Sequence, residues 1–514
     1  MPDENNVTTV EQTSTNQELY VGLVGPIGVD LDAVAEELNV ALSYLSYSVR
    51  TVRITDVLQQ LPSVRNLPGI SPVVAGSADV RIHELMSMGN KLCELTGLED
   101  AMARLGVIGV QTERDQGDVH PRKAYVIRQL KRPAEVHSLR RLYGENFVLI
   151  AAYSNKESRN AKLRRIIANS ENNMDFDQYE SRATSLMTRD EGEDIKHGQK
   201  LRDTFWRADL FVDPSERSVL AKSIKRFVEL LFGIAISTPT RDEAAMFVSW
   251  GASMRSASMA RQVGATLYEE TGSIVATGTN EVPRAFGGVY WEGDDPDGRD
   301  HHDSGQDQSD VSRGIMVAQL LDELKEAGWL SGTVSGRSSQ DLAHEALGPD
   351  GVLRGTRAAG IIEYVRAVHA EQCAIVDAAR RGVATNQLLM AVTTFPCHEC
   401  ARIIVAAGIK EVCYVEPYVK SLAKQMYGDS ISFEGKEVAK IWFRPYLGVA
   451  PQIYSRLFSA AGVERKDDKG KLKVPEAAIA RLRLTSQGSP LRIEDAESVF
   501  ALPLLEPQIP DQEP

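Results

Sequence analysis

Three residues that can bind a metal and one that can move a proton lie in two short motifs. The first is His369-Ala370-Glu371, and the second is Pro396-Cys397-His398-Glu399-Cys400. One imidazole and two thiolates supply three ligands of a tetrahedral Zn²⁺ site and leave the fourth position open to water, as in catalytic zinc sites. Bound zinc lowers the pKa of that water, and Glu371 is close enough in sequence to accept its proton and pass it on. The motifs therefore predict a hydrolytic zinc site.

A closed structural zinc site and a redox Cys-x-x-Cys are the alternatives. A closed site needs a fourth protein ligand, which His398 or Cys413 could supply. A Cys-x-x-Cys alone is weak evidence, but it occurs here together with His-x-Glu and a preceding proline. Both motifs are expected at helix N-termini, which favour thiolates. Cys93, Cys373 and Cys413 are interpreted as packing residues, and the combination favours the catalytic site.

The segments around these motifs alternate between helix and strand. VRAVHAEQCAIVDAARRG, LLMAVTTFP, CHECARIIVAAG and KEVCYVEP predict helix, strand, helix and strand. Near the N-terminus, a short apolar run enters a Gly-Pro-Ile-Gly turn and then a helical pattern, and further strands and helices alternate up to about residue 235. Alternation of this kind predicts an α/β protein whose N-terminal domain is a doubly wound parallel sheet.

Composition limits the class of protein and its partners. Of 514 residues, 43% are hydrophobic and 25% charged, which is typical of a soluble globular protein, and five cysteines cannot form a disulfide scaffold. The net charge of −13 argues against broad affinity for duplex nucleic acid but permits a small anion in a local basic pocket. No apolar run is long enough to span a membrane, and the N-terminal residues do not resemble a secretory signal, so we expect a cytoplasmic protein without a membrane partner.

The motifs, together with RSASMARQVGATL and SIVATGTNEVP, resemble the deoxycytidylate deaminases of the cytidine deaminase superfamily. His-x-Glu with Pro-Cys-x-x-Cys is the signature of zinc deaminases. The resemblance covers about residues 240–455 and implies a cytidine-deaminase-like three-layer α/β/α domain. It also implies Zn²⁺ as cofactor, Glu371 as the catalytic residue and a deoxycytidine nucleotide as substrate.

The same resemblance implies substrate-binding residues. Asn280 of the Gly-x-Asn-x-Val-Pro turn is expected at the deoxyribose 3′-hydroxyl, and the backbone at Ala370 at the base. Contacts to phosphate are expected from Arg255, Ser256, Arg261 and Lys420, because arginine suits bidentate contact with phosphate oxygens. The alternatives are a plain turn residue for Asn280 and a solvated helix face for the arginines.

The N-terminal domain resembles a P-loop nucleotide kinase, but its glycine-rich turn departs from the Walker A pattern. Gly22 to Gly28 is one residue too long, and the lysine and hydroxyl residue that should follow are missing. We do not expect phosphoryl transfer. Backbone N–H groups at Gly25 and Gly28 could still bind a phosphate, or the segment could be a plain tight turn. The hypothesis is that this domain senses a regulatory nucleotide.

The combination of the two domains, with RDTFWRADLFVD and FRPYLGVAP, resembles the bacterial anti-phage dCTP deaminases. These convert deoxycytidine nucleotides to deoxyuridine nucleotides and deplete dCTP during infection. The alternatives are a housekeeping dCMP deaminase, a polynucleotide-editing deaminase and a non-catalytic zinc-stabilised nucleotide-binding module. A homo-oligomer is expected, and the sequence leaves open an inhibitory protein or RNA partner without identifying it.

The predicted boundaries follow from these patterns. We expect a disordered tail over 1–17, the kinase-like domain over 18–235, the deaminase domain over 240–460 and a C-terminal extension over 461–514. An insertion occupies 292–345, and its first part, 292–310, is acidic and predicted to lie on the surface. His301-His302-Asp303 within it could be a second metal site, but a solvated loop is the favoured interpretation.

Overall fold

The computed structural model describes residues 17–460 except 66, 69, 71–75, 117–121, 193–197, 199, 354–355, 357, 361–363 and 416–420, and beyond 460 it describes 464–473 and 482. The chain divides into two compact units: the described residues up to Pro239 together with those from Leu447 onward, and Thr240–Tyr446. Residues 1–16 of the tail predicted to be disordered are not among the described residues. The same holds for most of the predicted C-terminal extension. None of the described helices has the length and apolar character needed to cross a bilayer.

The first unit is built on a parallel sheet, as predicted. Its strand order is β2-β3-β1-β4-β5, and β4 is buried at every position because helices cover the sheet. The strands are β1 (Gln17–Val24), β2 (Ser48–Arg53), β3 (Arg122–Leu130), β4 (Phe147–Ala152) and β5 (Leu210–Val212). The helices are α1 (Leu31–Ser43), α2 (Ile54–Gln60), α3 (Pro62–Arg65), α4 (Ala78–Thr96), α5 (Ala101–Gln116), α6 (Pro133–Tyr143), α7 (Lys156–Ser170), α8 (Glu180–Glu191), α9 (Leu201–Phe205) and α10 (Arg217–Phe232).

The second unit contains a mixed sheet of strand order β7-β6-β8-β9-β11-β10, in which β6 runs antiparallel to both of its neighbours and the other pairs are parallel. Its strands are β6 (Gly264–Tyr268), β7 (Ile274–Thr279), β8 (Leu389–Val392), β9 (Glu411–Tyr414), β10 (Ile431–Ser432) and β11 (Ile441–Pro445). Its helices are α11 (Arg241–Ser253), α12 (Asp300–Asp303), α13 (Gln308–Glu326), α14 (Gly332–Ser335), α15 (Ser339–Leu347), α16 (Ala370–Arg380), α17 (His398–Ala406) and α18 (Ala423–Tyr427).

Strand β6 shows how helices cover both faces of this sheet. Successive side chains of a strand point to opposite faces. Thr266 accepts a 2.9 Å hydrogen bond from Ser249 of α11. Its neighbours Ala265 and Leu267 instead lie in the hydrophobic core that α16 and α17 form on the other face. The second unit therefore has three layers, helix, sheet and helix.

The chain returns to the first unit earlier than the sequence predicts. Strand β12 (Gly448–Val449) pairs antiparallel with β5, and helix α19 (Tyr454–Phe458) follows it. The pairing is extended by the Ala450 N–H, which donates to the Asp209 carbonyl at 2.9 Å. The second unit thus ends at Tyr446, not at the predicted boundary of 460. A two-residue strand whose partner lies far away in sequence has no local signal.

The insertion is largely helical, and arginines form ion pairs with acidic side chains of its first part. Residues 300–303, 308–326, 332–335 and 339–347 form α12 to α15, so the helical part extends slightly past the predicted end at 345. Most side chains of 292–310 are exposed, as predicted, but Arg299 is only 5% exposed. The ion pairs of this part are Arg284 with Asp294, Arg299 with Glu292 and Asp297, Arg313 with Asp310, and Arg366 with Asp300 and Asp303. These acidic side chains are largely neutralised locally.

The contact between β6 and α11 leaves no room for a side chain at Gly264. A Cβ atom there would lie 1.8 Å from the Ser249 carbonyl oxygen, whereas one at Gly251, in α11 itself, would meet nothing within 4 Å. We expect Gly264→Ala to lower the free energy of unfolding by at least about 2 kcal/mol, because backbone must move. Gly251→Ala should raise it by about 0.5–1 kcal/mol through helix propensity. Calorimetric unfolding of the two variants checks this, and equal stabilities would contradict the packing described.

Candidate active site

The two motifs meet at the N-termini of two neighbouring helices. His369 is the N-cap residue of α16, and Cys397 is the N-cap residue of α17, which follows strand β8 as predicted. The Nδ1 atom of His369 lies 3.3 Å from the Sγ of Cys397 and 3.3 Å from the Sγ of Cys400. The Cys397 sulfur also accepts the backbone N–H of Cys400 at 3.4 Å. One nitrogen and two sulfurs therefore face a common point.

The spacing of these three atoms fits zinc. A tetrahedral ion with Zn–N and Zn–S bonds of about 2.0 and 2.3 Å separates nitrogen from sulfur by about 3.5 Å. Of the His, Cys, Asp and Glu side chains in the described part of the chain, only His369, Cys397 and Cys400 form a cluster of this kind. His398 and Cys413 are not in it, so they do not close the site, and His301-His302-Asp303 forms no second one. The donor set is that of a three-ligand site.

The ionisation of the two thiols also favours a cation. Hydrogen bonds from Cys400 and His369 lower the pKa of the Cys397 thiol to about 4, although burial opposes this. The hydrogen bond with Cys397 and burial together raise the pKa of the Cys400 thiol. The protein alone therefore stabilises one thiolate, and a metal ion is the group that would let both sulfurs ionise.

Glu371 lies beside the cluster in the first turn of α16 and is 4% exposed. Burial raises the pKa of its carboxyl group to about 7, and the nearby Cys397 sulfur adds to the shift. A carboxyl group with a pKa near neutrality can both accept and return a proton. An acid and base role needs this position and this protonation behaviour, and that role of Glu371 stays a prediction.

A glycine allows α16 to approach the sheet this closely. A Cβ atom at Gly278 of β7 would lie 2.0 Å from the Ala370 carbonyl oxygen and 2.4 Å from the Ala374 amide nitrogen. Ala370 is fully buried at this contact. The contact fixes the first turn of α16 and with it His369 and Glu371. The predicted contact between the Ala370 backbone and a base stays a prediction.

Three of the residues predicted to bind phosphate lie in a loop and not on a helix. Helix α11 ends at Ser253, so Arg255, Ser256 and Arg261 belong to the segment between α11 and β6. Ser256 is 4% exposed and donates its hydroxyl to the Asn280 carbonyl oxygen at 2.7 Å. The helical interpretation of this segment is therefore wrong, because hydrogen bonds to the end of β7 hold it in an irregular conformation.

Asn280 and its neighbour Glu281 organise this loop. The Asn280 side chain accepts the Val263 N–H and donates to the Arg261 carbonyl, both at 2.7 Å. Glu281, which belongs to none of the predicted sites, is 2% exposed and accepts the Ala257 N–H at 2.7 Å. Its own carbonyl accepts the Val368 N–H at 3.1 Å, directly before His369. Nothing in the sequence marks Glu281, since its partners lie in other segments.

Arg255 stacks on the ring of Trp291, a residue that belongs to none of the predicted sites. Its guanidinium carbon lies 3.4 Å from the centroid of the Trp291 ring, which is 52% exposed. The Nε atom of Arg255 is buried and has no hydrogen-bond partner among the described residues. Burial lowers the pKa of this guanidinium. The arrangement leaves donor capacity that an anionic ligand could use.

The remaining predicted residues belong to the first unit or are not among the described residues. Lys420 is not among the described residues. Gly25 and Gly28 lie in the turn after β1 in the first unit. The Gly25 carbonyl accepts a hydrogen bond from Lys131 at 2.9 Å, and Gly28 has a φ of +88°, which favours glycine.

Removing one sulfur should remove the metal. We expect Cys400→Ala to contain less than about a tenth of the zinc of the unsubstituted protein, because loss of a thiolate leaves only two ligands. Cys373→Ala is the matched control: this thiol lies on the same α16 but outside the cluster, and zinc should be retained. Atomic emission analysis of purified protein measures both. Equal zinc in the two variants would refute the ligand assignment.

Comparisons with known proteins agree with this site. Residues 239–416 match the family described as cytidine and deoxycytidylate deaminase zinc-binding region. ComE operon protein 2 of Bacillus subtilis is 40% identical over 65 residues, 12% of this chain and 34% of that protein. The deoxycytidylate deaminase of Enterobacteria phage T2 is 39% identical over 74 residues, 14% of this chain and 38% of that protein.

Both alignments are short, so the chain spans little more than a third of the curated relatives it matches. Among solved structures, the apo dCMP deaminase of cyanophage S-TIM5 aligns with a TM-score of 0.21 and 17% identity, over 41% of this chain and 100% of that one. In residues 239–416, the chain is therefore similar to the zinc-binding region of cytidine and deoxycytidylate deaminases.

Proposed function

We propose that the second unit is a zinc-dependent deaminase of deoxycytidine nucleotides. One observation carries the proposal: His369, Cys397 and Cys400 converge in zinc geometry beside a buried Glu371 whose pKa lies near 7. The match of residues 239–416 to the deaminase zinc-binding region supports the same reaction.

The reaction replaces the amino group of cytosine with an oxygen from water and releases ammonia. Zinc bound by the three ligands would supply a water of lowered pKa. The chain must then remove one proton from that water and deliver one to the leaving nitrogen. Glu371 performs both transfers, since its raised pKa keeps the two protonation states close in energy. Its burial excludes bulk water, which strengthens its interactions with the reacting groups.

The loop beside the site is proposed to hold the sugar and the phosphates. The amide of Asn280 keeps one further acceptor and one further donor position beyond its two backbone contacts, enough for a 3′-hydroxyl. Arg255, Arg261 and Lys420 are proposed for the phosphates. Ser256 supports them indirectly, because its hydroxyl is already bonded to the Asn280 carbonyl.

The finer assignment is that dCTP is the preferred substrate, with dCMP also accepted, and that the cytoplasmic enzyme depletes dCTP in defence against phage. The arrangement of the chain in two units supports this assignment. The same proposal includes regulation by a nucleotide at the first unit and assembly into a homo-oligomer. A dCMP deaminase of pyrimidine metabolism is the second candidate, favoured by the similarity to the phage T2 deoxycytidylate deaminase. The net charge of −13 disfavours a polynucleotide substrate.

Activity should depend on the Glu371 carboxyl group. Purified protein is offered dCTP, dCMP, CTP, cytidine and single-stranded DNA, and ammonia and uracil products are measured. We expect turnover of the deoxynucleotides, and a loss of about 10²- to 10⁴-fold in kcat for Glu371→Gln with zinc retained. Asp377→Asn, on the same helix but paired with Arg380 and Arg381 at the surface, is the control and should keep its activity.

The outcomes separate the candidates. Preference for dCTP supports the dCTP assignment, and exclusive use of dCMP supports the second candidate. Turnover of single-stranded DNA alone would reject both. Full activity in Glu371→Gln would show that another group transfers the proton, and zinc without any activity would identify a non-catalytic zinc module.

Arg255 should act on the phosphate end of the substrate. Arg255→Met is expected to raise KM for deoxynucleotides about tenfold or more, while kcat changes little and deoxycytidine turnover is unaffected. Arg380→Met, which removes an exposed guanidinium from α16, is the control. The two variants are compared by steady-state kinetics with dCTP, dCMP and deoxycytidine. Equal effects on nucleotide and nucleoside would place Arg255 outside the phosphate site.

A further inference from the structure

The chain that follows Asn280 folds back on itself and brings Trp291 to the loop between α11 and β6. Within this hairpin the Tyr290 N–H donates to the Val282 carbonyl at 3.1 Å. Trp291 comes directly after the hairpin and is about half exposed. The ring that contacts Arg255 is therefore attached through a short hairpin to the same turn that carries Asn280.

Polar contacts fix the backbone of Trp291. Its N–H donates to one oxygen of the Asp294 carboxylate at 2.8 Å, and the other oxygen accepts a hydrogen bond from Arg284 at 2.8 Å. The Asp294 N–H in turn donates to the Trp291 carbonyl at 3.2 Å. The position of the ring is thus set by hydrogen bonds to its backbone and not by burial in the hydrophobic core.

The ring meets the flat face of the Arg255 guanidinium. The guanidinium carbon lies 3.4 Å from the ring centroid, so it lies over the face of the ring. The N–H donors of a guanidinium lie in its plane, and stacking on an aromatic face leaves them for other acceptors. The Nε of Arg255 is buried and has no hydrogen-bond partner among the described residues. A bound anion would satisfy this donor.

The carboxylates beside Arg255 are bonded to other groups. The charges that reach its guanidinium include those of Glu281 and Asp377. The two oxygens of Glu281 accept backbone N–H groups, from Ala257 at 2.7 Å and from Val282 at 2.9 Å. Asp377 pairs with arginines at the end of α16. In the described part of the chain, the aromatic ring holds Arg255 where a carboxylate would otherwise pair with it.

We propose that Trp291 is a positioning residue for the phosphate end of the substrate: it holds the Arg255 guanidinium by its face and leaves the edge to phosphate oxygens. The proposal rests on the deaminase function proposed above. A carboxylate partner would also hold Arg255, but it would use the donors and cancel the charge that attract a phosphate. The ring does neither, so the pair favours a nucleotide over an unphosphorylated nucleoside.

Removing the aromatic face should weaken nucleotide binding without slowing the reaction. For Trp291→Leu we expect KM for dCMP and dCTP to rise about three- to tenfold, as for the loss of a cation–π contact, while kcat changes little. Trp291→Tyr keeps an aromatic face and should recover most of the affinity. Trp329→Leu removes a ring that is 79% exposed, just beyond α13, and is the matched control. Isothermal titration with dUMP, the product of dCMP, measures the same loss without turnover.

A double-mutant cycle shows whether Trp291 acts through Arg255. In the Arg255→Met background, Trp291→Leu should change KM and the Kd for dUMP no further, because the group that the ring positions is gone. Additive losses would show that the ring acts on its own and would overturn the proposal.

A second variant leaves the ring in place. Asp294→Ala releases the Trp291 backbone and should raise KM about twofold or more through the lost hydrogen bond. Unchanged KM in a folded Trp291→Leu variant overturns the proposal, and unchanged KM in Asp294→Ala does so if Trp291→Leu fails to fold. Both results leave an active deaminase in place. An unsubstituted protein that deaminates no cytosine nucleotide and binds no dUMP would instead refute the proposed function, and the role of Trp291 with it.

Discussion

The close approach of helix α16 to strand β7 is the constraint on which the candidate site depends. Gly278 permits it, since any side chain there would overlap the Ala370 carbonyl. The contact fixes the first turn of α16, where His369 caps the helix and Glu371 is buried. Helix α17 then needs only to present Cys397 and Cys400 at its own first turn. Two helix ends held by one sheet thus position all four groups.

The cluster of His369, Cys397 and Cys400 could be predicted from the sequence because its signal is local. Cys397 and Cys400 lie at the first turn of one helix, and His369 and Glu371 lie at the first turn of another. The spacing within each motif therefore indicates that its two side chains lie close together. The alternation of strands and helices likewise predicted the parallel sheet of the first unit. Both inferences use periodicity and helix-end chemistry, which depend on residues close in sequence.

The features that could not be predicted depend on distant partners. The loop carrying Arg255 is irregular because Ser256 bonds to Asn280, 24 residues away. Asp190 reaches Ile27 across 163 residues. The hydrogen bonds of Ser256 and Asn280 exclude a helical face for Arg255 and Arg261. No periodicity in the sequence indicates a carboxylate that accepts a turn N–H from so far away. The sequence therefore does not predict polar contacts between segments that are distant from each other along the chain.

The edge strand β12 affects the order in which the protein can fold during synthesis. Its partner β5 ends at Val212, and β12 begins at Gly448. At about 5–20 residues per second, the ribosome needs roughly 10–50 s to make the intervening segment. During that interval β5 has no strand partner on one side, and the whole second unit is synthesised before β12. This edge of β5 therefore stays without its partner until β12 emerges, and an unpaired edge is a site at which another chain can add a strand.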